Sequence, residues 1–297
     1  LSASYASALA AARDAAAAQN YPQQALYVVA TPIGNLADVT LRALHVLQLV
    51  DAVACEDTRH TQALLRAYGI EKPTLAVHQH NEAEAAQEVV RRLHQGQRIA
   101  YASDAGTPGV SDPGSRLAAA VRAAGCAVVP LPGASSVTAL VSAAGAAGDD
   151  GGFVFHGFLP VKSVERQQAV QALAHETRAV VLLEAPHRIA AAAEALARLD
   201  TRVITVGREL TKQFEEIATL RCADFPRWLQ ADPRRSRGEF ALLLHPVPAQ
   251  VDDAQPRRVL ELLVAELPVK TAVRLAAEIT GAPRNALYEM ALAMKAG

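Results

Sequence analysis

Aromatic residues make up only 4% of this 297-residue chain, so stacking on many side-chain rings cannot be its main means of holding a partner. Positive charge is not in surplus either. The chain carries 29 Lys and Arg against 30 Asp and Glu, a formal net charge of -1, which excludes a wholesale basic coat for nucleic acid. Any such contact is confined to local patches. Cysteine is scarce and odd in number: Cys55, Cys126 and Cys222 lie far apart, beside apolar or alanine-rich sequence, without metal-ligand spacing. They are expected to be reduced, mostly buried thiols in a reducing, cytoplasmic compartment. No apolar run reaches the ~18 residues needed to span a bilayer, so no membrane partner is expected. The stretch Leu1–Asn20 is alanine-rich but broken by Arg13 and Asp14, without the basic start and continuous apolar run of a signal peptide. Residues 1–24 are expected to form a loose or helical N-terminal tail.

Apolar residues, by contrast, are plentiful. At 51% hydrophobic and 20% charged, the chain can bury real cores, and its length suits two or three domains. Short apolar runs alternate with longer helical patterns from Ala25 onward. Strands are predicted at Ala25–Thr31, Ala52–Glu56, Thr74–His78, Arg98–Ser103 and Cys126–Leu131, with helices between them. Continuous apolar strands separated by helices indicate a parallel sheet covered on both faces. After a glycine-rich connector, Gly145–Gly152, the alternation resumes with FVFHGF, Ala179–Ala185 and RVITVGREL, followed by EEIATL and EFALLLH around a short helix near Trp228. A proline-containing linker, Pro246–Gln255, precedes three helical patterns. The last two are joined at Gly281–Pro283 and read either as a helix-turn-helix or as a helical pair docked on the second domain.

The expected architecture is therefore α/β: two α/β domains with mostly parallel sheets, at 25–146 and 152–246, and a small helical domain at 255–297. In such sheets ligands bind beyond the carboxyl ends of the strands, where glycine-rich turns let the backbone approach. Three turns fit: Thr31–Asn35, Ser103–Gly114, and Leu131–Ser136, which enters a helix whose N–H groups suit a carboxylate. None reads GxGxxG or GxxxxGK[ST], so a standard dinucleotide fold is disfavoured and a P-loop is absent.

These segments, with ACEDTRHT, GFLP, EAPHR, GRELTK and GEF, come in an order and spacing that resembles the tetrapyrrole methylase superfamily, and more narrowly its ribosomal RNA branch. The likeness runs from about Leu26 to Met294. It implies an α/β fold with S-adenosylmethionine (SAM) between the two domains, usually in a homodimer. The implied reaction is 2'-O-methylation of a cytidine in the decoding region of 16S rRNA, within the 30S subunit. Position by position, the implied SAM contacts are Ile33 and Gly34; Asp104, Ala105, Gly106, Thr107 and Val110; Ser135 and Ser136; Glu184; and Arg208 with Glu209. The chemistry needs no metal. The rival readings are a methylase of a tetrapyrrole (uroporphyrinogen or a precorrin) and a non-catalytic RNA-binding assembly protein.

A ribose hydroxyl is a poor nucleophile, so a positioned proton acceptor is worth roughly 10²–10⁴-fold. Glu56 and Asp57, after the second strand, are candidates, with Arg59 to orient the substrate; the same residues also read as a helix N-cap and its acidic first turn. His78 and His80, after the third strand, read as alternatives or as loop histidines. For RNA phosphate the best cluster is Arg234, Arg235 and Arg237, just before GEF, a segment expected to adjoin the cleft. Lys212 either joins that cluster or pairs with Glu209 or Glu215.

Overall fold

The computed structural model describes residues 6–78, 82–111, 114–146, 152–248 and 254–296. They fall into two compact units, Leu1–Val247 and Pro248–Gly297. His80 and most of the Gly145–Gly152 connector lie outside the described residues.

The first unit opens with α1 (Ala6–Ala16), so the segment expected to be a tail is helical there. Ala12 is fully buried, with Ala8 and Leu9 packed beside it against the core. Then follow β1 (Ala25–Val29), α2 (Leu41–Leu49), β2 (Ala52–Cys55), α3 (Thr58–Ala67), β3 (Thr74–Ala76), α4 (Glu82–His94), β4 (Ile99–Ala102), α5 (Ser115–Ala123), β5 (Ala127–Leu131) and α6 (Ser136–Ala144). The five strands pair in the order β3-β2-β4-β1-β5, all parallel. Alternation of side chains divides the sheet's core in two. Tyr27, Val29 and Val53 pack with Leu44, Leu47 and Leu65 on one face. Leu26, Ala54 and Ile99 pack with Val89, Leu93 and Leu117 on the other. Each large side chain so buried contributes about 1.5–3 kcal/mol. After β1 the chain crosses over one face to β2; after β4 it crosses the opposite face to β5. The sheet's switch point therefore lies between β1 and β4, the place where open α/β sheets bind ligands.

The second sheet comprises β6 (Phe153–Phe158), β7 (Ala179–Glu184), β8 (Val203–Arg208), β9 (Glu216–Arg221) and β10 (Phe240–Leu244), in the order β6-β7-β10-β8-β9. Its helices are α7 (Ser163–Leu173), α8 (Ile189–Leu196) and α9 (Phe225–Gln230). Here the expectation of mostly parallel strands meets a mixed sheet: β6–β7 is parallel, whereas β7–β10, β10–β8 and β8–β9 are antiparallel. The physical reason is connection length. The turn between Arg208 and Glu216 is too short for a crossover helix, so β9 must run back beside β8. Because β10 runs opposite to both β7 and β8, its N-terminal end lies level with their C-terminal ends, and Phe240 stands between Glu184 and Arg208. One face of this sheet is covered by α8 and α9. The other receives α6: Val137 and Leu140 pack on Val181, Ala241 and Leu243, together with Ile33 and Leu210. Gly207 permits this approach, since a Cβ there would stand 2.8 Å from Leu140 Cδ1.

The second unit is helical: α10 (Ala254–Glu266), α11 (Val269–Thr280) and α12 (Arg284–Ala296). They enclose Leu260, Ala272, Val273, Ala276, Leu287 and Ala291. Gly281, at φ 72°, ends α11 in the left-handed region that glycine enters without a Cβ clash, which lets the chain turn into α12. Among the described residues, no helix is long and apolar enough to cross a membrane.

Candidate active site

The three glycine-containing turns come together. Thr31 and Gly106 exchange backbone hydrogen bonds of 3.0 Å each way, tying the β1 turn to the β4 turn. Thr31 Oγ1 donates to the Ser103 carbonyl (3.1 Å), and Ser103 Oγ donates to that of Gly106 (2.9 Å). Thr107 Oγ1 donates to the Ala134 carbonyl (3.0 Å), which adds the β5 turn. Gly106 itself sits at φ 82°, a conformation that side chains rarely adopt. Ser135 is the N-cap of α6, but no side chain caps the helix. Its first N–H groups thus have no partner within the helix and present partial positive charge.

Opposite these turns stands the edge of the second sheet, and the two sides enclose a cleft of about 330 Å³. Its walls on that side are Leu183 and Glu184 at the end of β7, then Ala185 and Pro186, Phe158 at the end of β6, Leu210, and Glu239, Phe240 and Ala241 at the start of β10. Glu184 is 3% exposed. Its Oε1 accepts from the Ala185 N–H (2.9 Å) and lies 3.2 Å from Arg188 Nε, which offsets the cost of burying a carboxylate. The cleft therefore combines apolar walls, one buried and partnered carboxylate, and an uncapped helix N-terminus.

The β8–β9 turn braces the edge of the cleft. Glu209 (φ 51°) and Thr211 (φ 67°) both occupy the left-handed region, each at a cost of about 1–3 kcal/mol. Glu209 N donates to the Glu239 carbonyl (2.9 Å), and Glu239 N donates to Glu209 Oε1 (3.0 Å). Lys212 Nζ bridges Glu209 (2.8 Å) and Glu239 (3.0 Å). Burial alone would raise the Glu209 carboxyl, but the Lys212 ammonium and the Glu239 N–H together hold it below its usual range. Burial likewise works against the Lys212 charge, and the two carboxylates more than restore it.

Of the twelve residues implied as cofactor contacts, Ile33, Ala105, Gly106, Thr107, Val110, Ser135, Ser136 and Glu184 line the cleft. Gly34 lies under the stem of Lys212. Asp104 turns toward β2, where its Oδ1 accepts from Asp57 N at 3.4 Å. Arg208 is placed elsewhere than expected. It is 8% exposed and its guanidinium donates to the carbonyls of Phe214, Arg234 and Arg237, with Glu216 at 3.5 Å. Alternation along β8 turns that side chain from the cleft to the arginine loop, while Glu209 braces the turn.

Glu56, Asp57 and Arg59 are not in the cleft wall. Asp57 is the N-cap of α3 and accepts from the N–H groups of Arg59 (2.8 Å) and His60 (3.3 Å), which hold its carboxyl below the usual range. The Arg59 side chain is 92% exposed, and Glu56 is half-buried. In the arginine loop, Arg235 is a packing residue: its guanidinium lies 4.3 Å from the Trp228 ring centroid and pairs with Glu216. Arg234 pairs with Asp232, and Arg237 is exposed.

Sequence reasoning missed Phe158, Leu183, Pro186, Leu210, Glu239 and Phe240 as individual wall residues. Phe158, Pro186, Leu210, Glu239 and Phe240 lie within the blocks GFLP, EAPHR, GREL and GEF, which sit at strand ends facing the cleft, and Leu183 stands one residue before EAPHR.

The family model of tetrapyrrole (corrin/porphyrin) methylases matches residues 25–226, and that of the RsmI C-terminal HTH domain matches 250–295. Curated relatives include proteins called ribosomal RNA small subunit methyltransferase I. That of Escherichia coli O157:H7 is 45% identical over 91% of this chain and 95% of its own length. That of Neisseria meningitidis serogroup A is 46% identical over 91% and 94%, and that of Pseudomonas aeruginosa 45% over 90% and 96%. Among solved structures, the methyltransferase CobJ superposes with a TM-score of 0.56 at 19% identity, covering 75% of this chain and 94% of its own. A uroporphyrin-III C-methyltransferase from Thermus thermophilus, complexed with S-adenyl homocysteine, gives 0.50 at 19% identity over 73% and 96%. At such identities the structural likeness bears on the fold alone.

Proposed function

The chain belongs to the tetrapyrrole methylase family and, within it, to ribosomal RNA small subunit methyltransferase I, and from that membership we propose how its cleft works. It is a SAM-dependent methyltransferase of small-subunit ribosomal RNA. Our finer reading is transfer to the ribose 2'-O of a cytidine in the decoding region of 16S rRNA, within the 30S subunit, by a cytoplasmic homodimer.

The observation that carries this reading is the pairing, in one cleft, of the uncapped α6 N-terminus with apolar walls and the buried Glu184. Those features fit SAM. The N–H groups of the first turn of α6 suit its carboxylate, Leu183, Leu210, Phe240 and Ala241 suit the faces of its adenine, and Glu184 suits its donor groups or positive charge. When bound, SAM supplies a methyl group already activated on a cationic sulfur. The protein's own task is then to hold a ribose hydroxyl in line, exclude water and accept a proton, with positioning worth roughly 7–11 kcal/mol.

For the proton acceptor, the commitment of Asp57 to capping α3 argues against that residue. Glu239 is the better reading: it lines the cleft, its side chain is 73% exposed, and both its backbone and its carboxylate are fixed. Lys212 stays charged between two carboxylates and so is no base; it holds Glu239 in place.

Radiolabelled methyl transfer from SAM to 30S subunits, to deproteinised 16S RNA and to uroporphyrinogen tests the reading. Label on RNA that maps to a ribose 2'-O is the expected result. Label on a base, or on the tetrapyrrole alone, would overturn it.

A further inference from the structure

Phe158 closes β6 at the cleft, yet 47% of its surface stays open to solvent. Among the described residues, only Phe158 and Val110 are at once large exposed hydrophobics and cleft-lining residues, and Phe158 alone of the two is aromatic. The chain beyond it keeps the same character: Val161 and Val164 are 73% and 66% exposed, anchored by the buried Leu159. The ring is held from behind. The Arg188 guanidinium carbon lies 6.0 Å from its centroid, with Nε on the Glu184 carboxylate and an Nη donating to the Leu159 carbonyl. One arginine thus connects the buried carboxylate to the ring at the mouth.

We propose that Phe158 is the stacking platform for the base of the nucleotide being methylated, with Arg188 as the residue that positions it. The inference rests on the reading of the cleft as a site of RNA ribose methylation. A ribose 2'-oxygen is displayed in the shallow groove of an RNA helix, but a cleft with enclosed walls takes it deeper once its nucleotide is turned out of the stack, which costs stacking energy. A planar ring at the entrance returns part of that energy, and every base has a face to offer it. The enclosed walls of Leu183, Leu210, Phe240 and Ala241 suit the donor, which must be shielded; a half-exposed ring suits the acceptor, which arrives from solvent. In a chain with 4% aromatics, one ring at this place holds the reacting nucleotide, whichever its base, and not the whole RNA.

The test uses the full chain with Phe158→Ala, Phe158→Leu and Phe158→Trp, and RNA carrying pyrrolocytosine at the methylated position. Loss of one base stack corresponds to a weakening of roughly 5- to 150-fold. Phe158→Ala and Phe158→Leu are expected to raise the KM for RNA within that range and to abolish quenching of the probe. SAM affinity by calorimetry should be unchanged, and Phe158→Trp should restore both RNA readouts. Equal loss of SAM affinity would assign the ring to the donor instead. Rescue by leucine as complete as by tryptophan would reduce it to apolar cover, and unchanged KM and quenching in all variants would also overturn the proposal. Wild-type protein in the same assay separates the two levels: if it fails to methylate RNA, the underlying reading falls with the inference; if it succeeds while the variants match it, only the inference falls.

Discussion

The aliphatic stem of Lys212 lies across Gly34, so closely that a Cβ on residue 34 would stand 2.4 Å from Lys212 Cγ and 2.7 Å from Cε. Gly34 belongs to the turn after β1, and Lys212 to the turn between β8 and β9, so this contact joins the two sides of the cleft. The Lys212 ammonium is fixed on Glu209 and Glu239. Its stem therefore cannot swing aside without disturbing both ion pairs.

Gly34→Ala should consequently act at a distance from its own methyl group. Overpacking of this kind costs about 1–3 kcal/mol, and relief by moving Lys212 would release Glu239. The expected outcome is a lower melting temperature together with slower single-turnover methyl transfer. Wild-type values for both would show that Lys212 yields freely and braces nothing.

Glu239→Gln keeps the shape of the side chain and removes its basicity. If Glu239 accepts the hydroxyl proton, the single-turnover rate should fall roughly 10²–10⁴-fold, while SAM and RNA affinities hold. A rate within a few-fold of wild type would return the role to another group.

Residue type determined how much of this site could be read in advance. The turns Ser103–Gly114 and Leu131–Ser136 were legible from their glycine content, and the resemblance singled out Gly106, Thr107, Ser135 and Ser136 within them, all four of which line the cleft. Phe158 and Phe240 gave no such signal, since a phenylalanine at a strand end reads the same whether it fills a core or faces a ligand. Arg208 was misplaced for a related reason: its block is recognisable, but the direction of one side chain depends on strand alternation and on where the arginine loop lies. The first sheet was legible as parallel from its continuous apolar strands. The place of β10 between β7 and β8 was not, because strand order is set by long-range pairing that a local pattern does not encode.

Several carboxylates make stability fall in acid. Glu176 accepts three hydrogen bonds from the backbone and guanidinium of Arg178, and its carboxyl drops from 4.5 to about 2. Arg234 takes Asp232 from 3.8 to about 2, and Arg91 with Arg92 takes Glu88 from 4.5 to about 2. A depressed carboxyl stabilises the fold fully above its unfolded value, and that contribution disappears as pH falls through the folded one. Melting temperature should thus decline between about pH 4.5 and pH 2. Glu176→Gln should flatten part of that decline, modestly because the group is solvated; an unchanged slope would mean the Arg178 pairing does not persist in solution.

The arginine loop makes two opposite predictions from neighbouring residues. Arg235 is tied down by Glu216, the Trp228 carbonyl and the Trp228 ring, so Arg235→Ala should cost about 1–3 kcal/mol of stability. Arg237 is exposed, and its carbonyl accepts from Arg208, so the loop keeps its shape when that side chain changes. Arg237→Glu should leave the melting temperature in place and weaken RNA binding, with the slope of log affinity against log salt reduced by about one if the guanidinium meets a phosphate. Binding isotherms at several salt concentrations, read beside thermal melts, distinguish the two effects. If Arg237→Glu binds RNA with the wild-type salt slope, Arg237 meets no phosphate and the contacts lie on other cations of the chain.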